Sequence, residues 1–160
     1  LISAAKQDNL DIVVVVFGAD TKNIRTQDSA TLINYAFSNY VGVDFGFLIS
    51  NKYNDFENYI LPFISVLKGN STVVPKLDSI AYNIYPVKKN LLDSISLEIN
   101  EFELVAPILD NQPIAEIIVY VDNNKIFGTN ILSSAYISKK SAFDYLNFFI
   151  LNYKNFYQIY

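Results

Sequence analysis

The amino-acid sequence predicts an α+β fold: a strand and a helix, then a small antiparallel β-sandwich, then a C-terminal amphipathic helix. Three observations lead to this class. Residues 12–17 form a β-branched run, short apolar runs recur between turn signals in residues 63–121, and residues 141–160 carry a wide apolar face. Short β-branched runs favour strands, whereas an apolar face repeated every three or four residues favours a helix.

The strand of residues 12–17 is apolar throughout and is closed by Gly18. A continuous apolar run is typical of a strand that other elements cover on both faces. The residues before it supply few candidates for those neighbours. We therefore expect this chain to be a C-terminal piece of a larger protein, in which a preceding domain covers the strand.

A helix is expected from Ile24 to Tyr40, because Asp20 and Thr21 offer side-chain oxygens that can cap its N-terminus. Gly42 then breaks the helical pattern, which predicts a domain boundary after residue 43. Apolar residues at spacings of three and four form one face of this helix. They are Ile24, Leu32, Ile33, Ala36, Phe37 and Tyr40.

Short strands are expected from about Phe47 to Ile137, because apolar runs alternate there with turn signals rich in Gly, Pro, Asn and Asp. In residues 95–99 apolar and polar side chains alternate, so that strand is expected to bury one face only. Such a series predicts a small antiparallel sandwich over residues 44–138. The runs are residues 63–67, 80–85, 95–99 and 117–121.

Residues 139–160 are expected to form an amphipathic helix that anchors the chain at a membrane surface. Its apolar side chains cover more than half of the helix circumference and are rich in aromatic rings, which suit the headgroup boundary. Lys139 and Lys140 precede it, and each contributes about 1 kcal/mol against anionic lipid. The expected anchoring residues are Phe143, Tyr145, Leu146, Phe149, Ile150, Tyr153, Phe156 and Tyr157.

Two other interpretations of this helix stay open. One is that it packs on the sandwich or pairs with another chain. The other is a transmembrane span, which needs about 20 consecutive apolar residues. Asp144, Lys154 and several Asn and Gln residues disfavour the span, because polar groups are costly inside a bilayer.

The composition excludes several classes of function. The 160 residues carry a net charge of −4 and no basic run, so nothing predicts nucleic-acid binding. Cys and His are both absent, which removes disulfides, thiolate chemistry, the commonest general base and the commonest metal ligand. We predict no cofactor site and no metal site.

No catalytic residue is predicted within the chain. Ser65 and Lys68 have the Ser-x-x-Lys spacing that places a nucleophile and its base on one helix turn. Here the pair lies in a strand that enters a turn, and residues three apart on a strand point to opposite faces. Glu98, Glu101 and Glu103 lie close in sequence, but the alternation around Glu98 places it on a solvated face.

The order of elements resembles that of D-alanyl-D-alanine carboxypeptidases, the low-molecular-weight penicillin-binding proteins of serine peptidase family S11. Residues 1–19 resemble the last strands of their catalytic domain. Residues 25–40, with an Asn-Tyr pair between a Leu and a Phe, resemble its closing helix. Val74-Pro75 and the proline-containing residues 104–115 resemble the family's β-sandwich, and residues 139–160 resemble its membrane anchor.

This resemblance implies three parts: residues 1–43 as the tail of the peptidase domain, 44–138 as a β-sandwich stalk and 139–160 as the anchor. It implies an intact protein that trims terminal D-alanine from peptidoglycan pentapeptides through an acyl-serine intermediate, at the extracytoplasmic face of a bacterial membrane. The family's three catalytic motifs have no match at corresponding positions. Binding of the stem peptide and of β-lactams is therefore expected in the missing domain.

The main alternative is a non-catalytic, membrane-associated β-sandwich that acts as a binding or adaptor module. A third interpretation is an unrelated β-protein of the membrane surface. Catalytic motifs encoded upstream would favour the peptidase over the module. The third interpretation would fail if residues 10–40 form a strand and a helix that need a sheet absent from this chain. The sequence predicts no oligomeric state.

Overall fold

The computed structural model describes residues 1–80 and 83–157, with side chains described as far as residue 150. It is a mixed fold with antiparallel sheets. The strands are β1 Ile2–Gln7, β2 Leu10–Val15, β3 Tyr40–Asp44, β4 Pro75–Leu77, β5 Ile84–Lys88, β6 Ile95–Glu101, β7 Pro113–Val121 and β8 Asn124–Ser133. The helices are α1 Lys22–Asn39, α2 Phe45–Asp55 and α3 Ala142–Tyr157.

The chain divides into two compact units. The first comprises Leu1–Lys52, Ser79–Glu98 and Ile118–Gly128. The second comprises Tyr53–Asp78, Ile99–Ile117 and Thr129–Tyr160. Strands β6, β7 and β8 contribute residues to both. The boundaries expected at residues 43 and 138 stay predictions.

Strands β1 and β2 form an antiparallel hairpin in the first unit, in which Ile2 pairs with Val15 and Gln7 with Leu10. Asp8 in the connecting turn has a φ of 51°, a conformation that short polar side chains tolerate. One face of the hairpin lies against α1. The expected strand at residues 12–17 is therefore present, although β2 itself ends at Val15.

Helix α1 confirms the helix expected from Ile24 to Tyr40. Thr21 is its N-cap, and the Thr21 hydroxyl oxygen accepts a hydrogen bond from the Ile24 N–H at 3.3 Å. The chain then enters β3, which pairs antiparallel with β5. Gly42 in β3 has no room for a side chain, because a Cβ there would collide with the Asn9 carbonyl group.

A four-stranded sheet has the order β4-β8-β7-β6 and contains most of the buried β-branched side chains. Strand β7 lies between two neighbours, and Ile117, Ile118 and Val119 are buried on alternate faces. Asp122 and Asn123 both have positive φ and join β7 to β8 in a tight hairpin turn. The strands expected at 95–99 and 117–121 are confirmed, and β6 shows the expected alternation of burial.

The structure corrects two strand predictions in residues 44–67. Helix α2 occupies the start of the region expected to be β-rich, and it continues as a π-helical turn, Phe56–Ile60, and a 3-10 turn, Leu61–Phe63. The Asp44 carboxylate accepts a hydrogen bond from the Phe47 N–H at 2.9 Å, which caps this helix. Residues 64–66 form no regular secondary structure and Leu67 forms a single bridge, so the strand expected at 63–67 is wrong.

Two further differences concern strands. The strand expected at 80–85 lies at Ile84–Lys88, and residues 81 and 82 fall outside the described part of the chain. Strand β8 was not expected, because Gly128 and several polar residues interrupt its apolar pattern. The assembly of these strands into a sandwich stays a prediction.

Candidate functional site

Helix α3 begins at a capping box formed by Ser141 and Asp144. The Asp144 carboxylate accepts hydrogen bonds from the Ser141 hydroxyl at 2.7 Å and the Ser141 N–H at 2.6 Å. The Ser141 hydroxyl oxygen in turn accepts from the Asp144 N–H at 3.3 Å. These bonds from Ser141, with a smaller contribution from the positive charge of Lys140, hold the pKa of Asp144 below its ordinary value. The helix start is therefore fixed by local chemistry.

Every side chain from residue 141 to residue 150 is exposed, on the polar and the apolar face alike. Phe143 is 67% exposed and Phe149 is 69% exposed. The described part of α3 thus presents an exposed aromatic surface, in which the Phe148 and Phe149 rings meet edge to face with centroids 6.2 Å apart. Five of the expected anchoring side chains are described and all five are exposed: Phe143, Tyr145, Leu146, Phe149 and Ile150. Tyr153, Phe156 and Tyr157 belong to α3, but their side chains lie outside the described part.

Among the residues that the structure describes, no helix has both the length and the apolarity needed to cross a bilayer. Helix α3 has 16 residues.

A second open surface is the outer face of the β1–β2 hairpin, formed by Ile2, Ala4, Val13 and Val15. Val13 is 68% exposed and Ile2 is 72% exposed. The register places Ile2 beside Val15 and Ala4 beside Val13, so the four side chains form one continuous apolar patch. At the far end of the same face, the Lys6 ammonium lies 3.1 Å from the Asp11 carboxylate.

The inner face of the hairpin is covered by α1. The hydroxyl of Ser29, a buried residue of α1, donates to the Ser3 hydroxyl on β1 at 2.8 Å. Leu10 and Val16 are buried as well. The apolar strand predicted to need neighbours on two faces therefore has one covered face and one open face.

The Ser-x-x-Lys pair of residues 65 and 68 does not lie on a helix. Ser65 is exposed in a segment without regular secondary structure, and Lys68 occupies a turn with a φ of 60°. A second match, Ser3 and Lys6, escaped the sequence reasoning. It lies on β1, where Ser3 faces α1 and Lys6 faces solvent beside Asp11. Neither pair can pass a proton from hydroxyl to amine within one helix turn.

The acidic residues Glu98, Glu101 and Glu103 are all exposed, as the alternation predicted for Glu98. Over residues 1–80 and 83–157, no group of three or more acidic side chains has the spacing to hold a metal ion. These carboxylates therefore present a solvated surface.

One polar cleft in the first unit was not signalled by the sequence. It has a volume of about 410 Å³. The Lys89 ammonium at its edge donates to the Phe37 carbonyl near the C-terminus of α1, at 2.7 Å. That lysine therefore satisfies a helix-end carbonyl. The lining residues are Tyr35, Ser38, Asn39, Lys88, Lys89 and Asn90.

Comparison with known proteins shows which solved structures share this fold. No family model and no curated protein matches the sequence. The chain is similar to the crystal structure of penicillin binding protein 5 from Haemophilus influenzae, with a TM-score of 0.56 and 19% identity over 87% of this chain. It is also similar to the D-alanyl-D-alanine carboxypeptidase DacD from Francisella tularensis, with a TM-score of 0.51 and 22% identity over 88% of this chain.

The matched regions cover 38% and 33% of those two solved chains, so this chain spans just over a third of one and a third of the other. Identities of this size support a statement about fold. The chain has the fold of a segment of D-alanyl-D-alanine carboxypeptidases, as the order of its sequence elements predicted.

Proposed function

We propose that this chain is the C-terminal portion of a serine-type D-Ala-D-Ala carboxypeptidase that trims terminal D-alanine from peptidoglycan pentapeptides. Its own role is to support the catalytic domain and to tether it at the extracytoplasmic face of the cell membrane. The observation that carries the proposal is the similarity of fold to two solved structures. One is named as a penicillin binding protein and matches 87% of this chain. The other is named as a D-alanyl-D-alanine carboxypeptidase and matches 88% of it.

The open face of the hairpin supports the first half of this proposal. An apolar face that stays in solvent forgoes the stabilisation that its burial would give, which is about 25 cal/mol per Å² of buried surface. The patch of Ile2, Ala4, Val13 and Val15 is therefore a natural contact for the remainder of a peptidase domain. The acylated serine, the site for the stem peptide and the site for β-lactams belong to that remainder.

The exposed aromatic surface of α3 supports the second half. A helix with a capped start and exposed Phe and Tyr side chains gains stability when those rings enter the headgroup boundary. Burial of the apolar area of these rings is the dominant contribution to the free energy of membrane binding. The chain would then hold the peptidase as a peripheral protein on its membrane.

The peptidase role is tested in cells of the source organism with an antibody raised against this chain. The antibody should precipitate, from the membrane fraction, a protein that fluorescent penicillin labels covalently and that releases D-alanine from a pentapeptide. A membrane protein that carries this chain but takes no label and releases no D-alanine would instead be a binding or adaptor module.

The tethering role is tested by sedimentation with lipid vesicles. Phe143→Ser together with Phe149→Ser should weaken binding strongly, because these two rings are the most exposed apolar side chains in the described part of the helix. Phe17→Ser is the matched control, since Phe17 is 85% exposed but lies outside α3. Equal sedimentation of the wild type and the double variant would contradict the anchor.

A further inference from the structure

A tight turn in the second unit lies directly against the segment that leads into α3. The Gly69 N–H donates to the Val66 carbonyl at 3.1 Å and closes the turn, with Lys68 at a φ of 60°. A Cβ at Gly69 would come within 2.7 Å of the Val66 side chain and 3.2 Å of the Ile137 side chain. Glycine at this position therefore permits a close approach between the turn and Ile137.

Backbone hydrogen bonds fix the register of that approach. The Lys140 N–H donates to the Lys68 carbonyl at 2.7 Å. Gly69 forms an antiparallel bridge with Lys139. The Asn70 N–H donates to the Ser138 carbonyl at 3.1 Å. The backbone of Lys68, which is far away in the sequence, is thus held beside the backbone of the two lysines that precede α3, directly opposite Lys140.

We call Lys68, Lys139 and Lys140 the basic cluster. All three residues are exposed. Within the described part of the chain none of them forms an ion pair, whereas Lys6 and Lys76 pair with Asp11 and Asp110. The carboxylate at this end of α3 is that of Asp144, which accepts hydrogen bonds from Ser141 and feels the positive charge of Lys140. It offsets one of the three lysine charges and leaves the other two unbalanced. The cluster is therefore a net positive site in a chain whose total charge is −4.

We propose that the basic cluster binds the phosphate groups of an anionic lipid bilayer, with Lys68 as its third and fold-supplied member. The inference rests on the proposed tethering role and adds lipid selectivity to it. The cluster stands at the head of the exposed aromatic helix, so the same bilayer can take the rings and the charges together. Each lysine held near an anionic bilayer increases the partition of the protein from water onto that bilayer about fivefold.

The test compares vesicles that contain phosphatidylglycerol with vesicles of phosphatidylcholine alone. Lys68→Gln should weaken partition onto the anionic vesicles about fivefold, and Gln at all three cluster positions should weaken it roughly a hundredfold. Lys68→Arg should retain wild-type partition. Lys22→Gln, which removes an exposed lysine of α1 outside the cluster, should change it less than about twofold. Partition onto phosphatidylcholine should be the same for all these proteins.

The outcomes separate this inference from the tethering role. Unchanged partition of Lys68→Gln onto anionic vesicles would overturn the role of Lys68 while leaving the aromatic anchor in place. An equal loss for Lys22→Gln would also overturn it, because the effect would then follow total charge. A wild type that binds neither kind of vesicle would overturn both proposals. Circular dichroism of each variant establishes that its fold is intact.

Discussion

Strands β2 and β7 have nearly the same kind of sequence and opposite surroundings. Residues 12–16 read Ile-Val-Val-Val-Val, and residues 117–121 read Ile-Ile-Val-Tyr-Val. In β7 Ile117 is 0% exposed, and neighbouring strands lie on both edges. In β2 Val13 is 68% exposed, and among the described residues β1 is the only strand that pairs with it.

The difference shows what a continuous apolar run does and does not encode. The run favours a strand that other elements cover on both faces, but it does not say which part of a protein supplies the covers. For β7 the described residues supply both. For β2 they supply α1 on one face, and the other face is open to a partner.

Truncation of a β7 side chain should have the largest effect on stability. Ile117→Ala should lower the free energy of unfolding by about 2–5 kcal/mol, because it removes buried methyl groups and leaves a cavity. Val13→Ala in β2 is the matched comparison and should cost less than about 1 kcal/mol, since its side chain is mostly in solvent. Denaturant unfolding of both variants measures the two values.

A similar cost at both positions would break the comparison. It would mean that the outer face of the hairpin is covered in solution, for example by a second copy of this chain. Sedimentation equilibrium of the wild type would then detect that copy.

Hydrogen exchange should separate the same two strands without any mutation. The amides of β1 and β2 should exchange at least about tenfold faster than those of β7, because fewer buried contacts oppose local opening of the hairpin. Exchange followed by mass spectrometry measures both regions in one sample. Equal protection would show that the hairpin opens only when the whole chain unfolds.

Periodicity was enough to predict α1, β6 and β7, since each has a clear spacing of apolar residues and a recognisable turn or cap. It failed at α2. Apolar residues are so frequent from Phe45 to Phe63 that strand and helix spacings both fit. The side-chain cap from Asp44 and the burial of Phe45 and Ile49 became evident only in the structure.

The candidate site was predictable in part. The aromatic helix and its two preceding lysines are adjacent in sequence, so a local pattern identifies them. Lys68 was interpreted as a turn residue, and its place beside Lys140 depends on a long-range backbone hydrogen bond. No local pattern encodes that bond.

The contact between the hairpin and α1 can be examined through its buried hydroxyl pair. Ser29→Ala should cost about 1 kcal/mol, because the half-buried Ser3 hydroxyl loses its partner. The double variant Ser3→Ala with Ser29→Ala should cost less than the single variant, since no unpaired hydroxyl remains. Thermal unfolding of the wild type, Ser3→Ala, Ser29→Ala and the double variant provides the cycle. Additive losses would show that the bond contributes nothing to the hairpin.

The smallest effect on stability is expected for a substitution in helix α3, because its described side chains are exposed and only local hydrogen bonds stabilise its start. Bonds from Ser141 lower the pKa of Asp144, so the unfolded segment takes up a proton more readily than the helix does. The contribution of the box is therefore complete above the ordinary carboxyl pKa of 3.8 and is lost as the pH falls through the lowered value.

The helical signal of the wild type should thus exceed that of Asp144→Asn at neutral pH, and the difference should shrink below about pH 4. Circular dichroism in vesicle-free buffer measures it, with Asp28→Asn in α1 as the control for an exposed carboxylate. A constant difference from neutral to acidic pH would refute the titration. No difference at any pH would mean that the box does not stabilise α3, and the helix would then depend on the bilayer for its start as well as for its aromatic face.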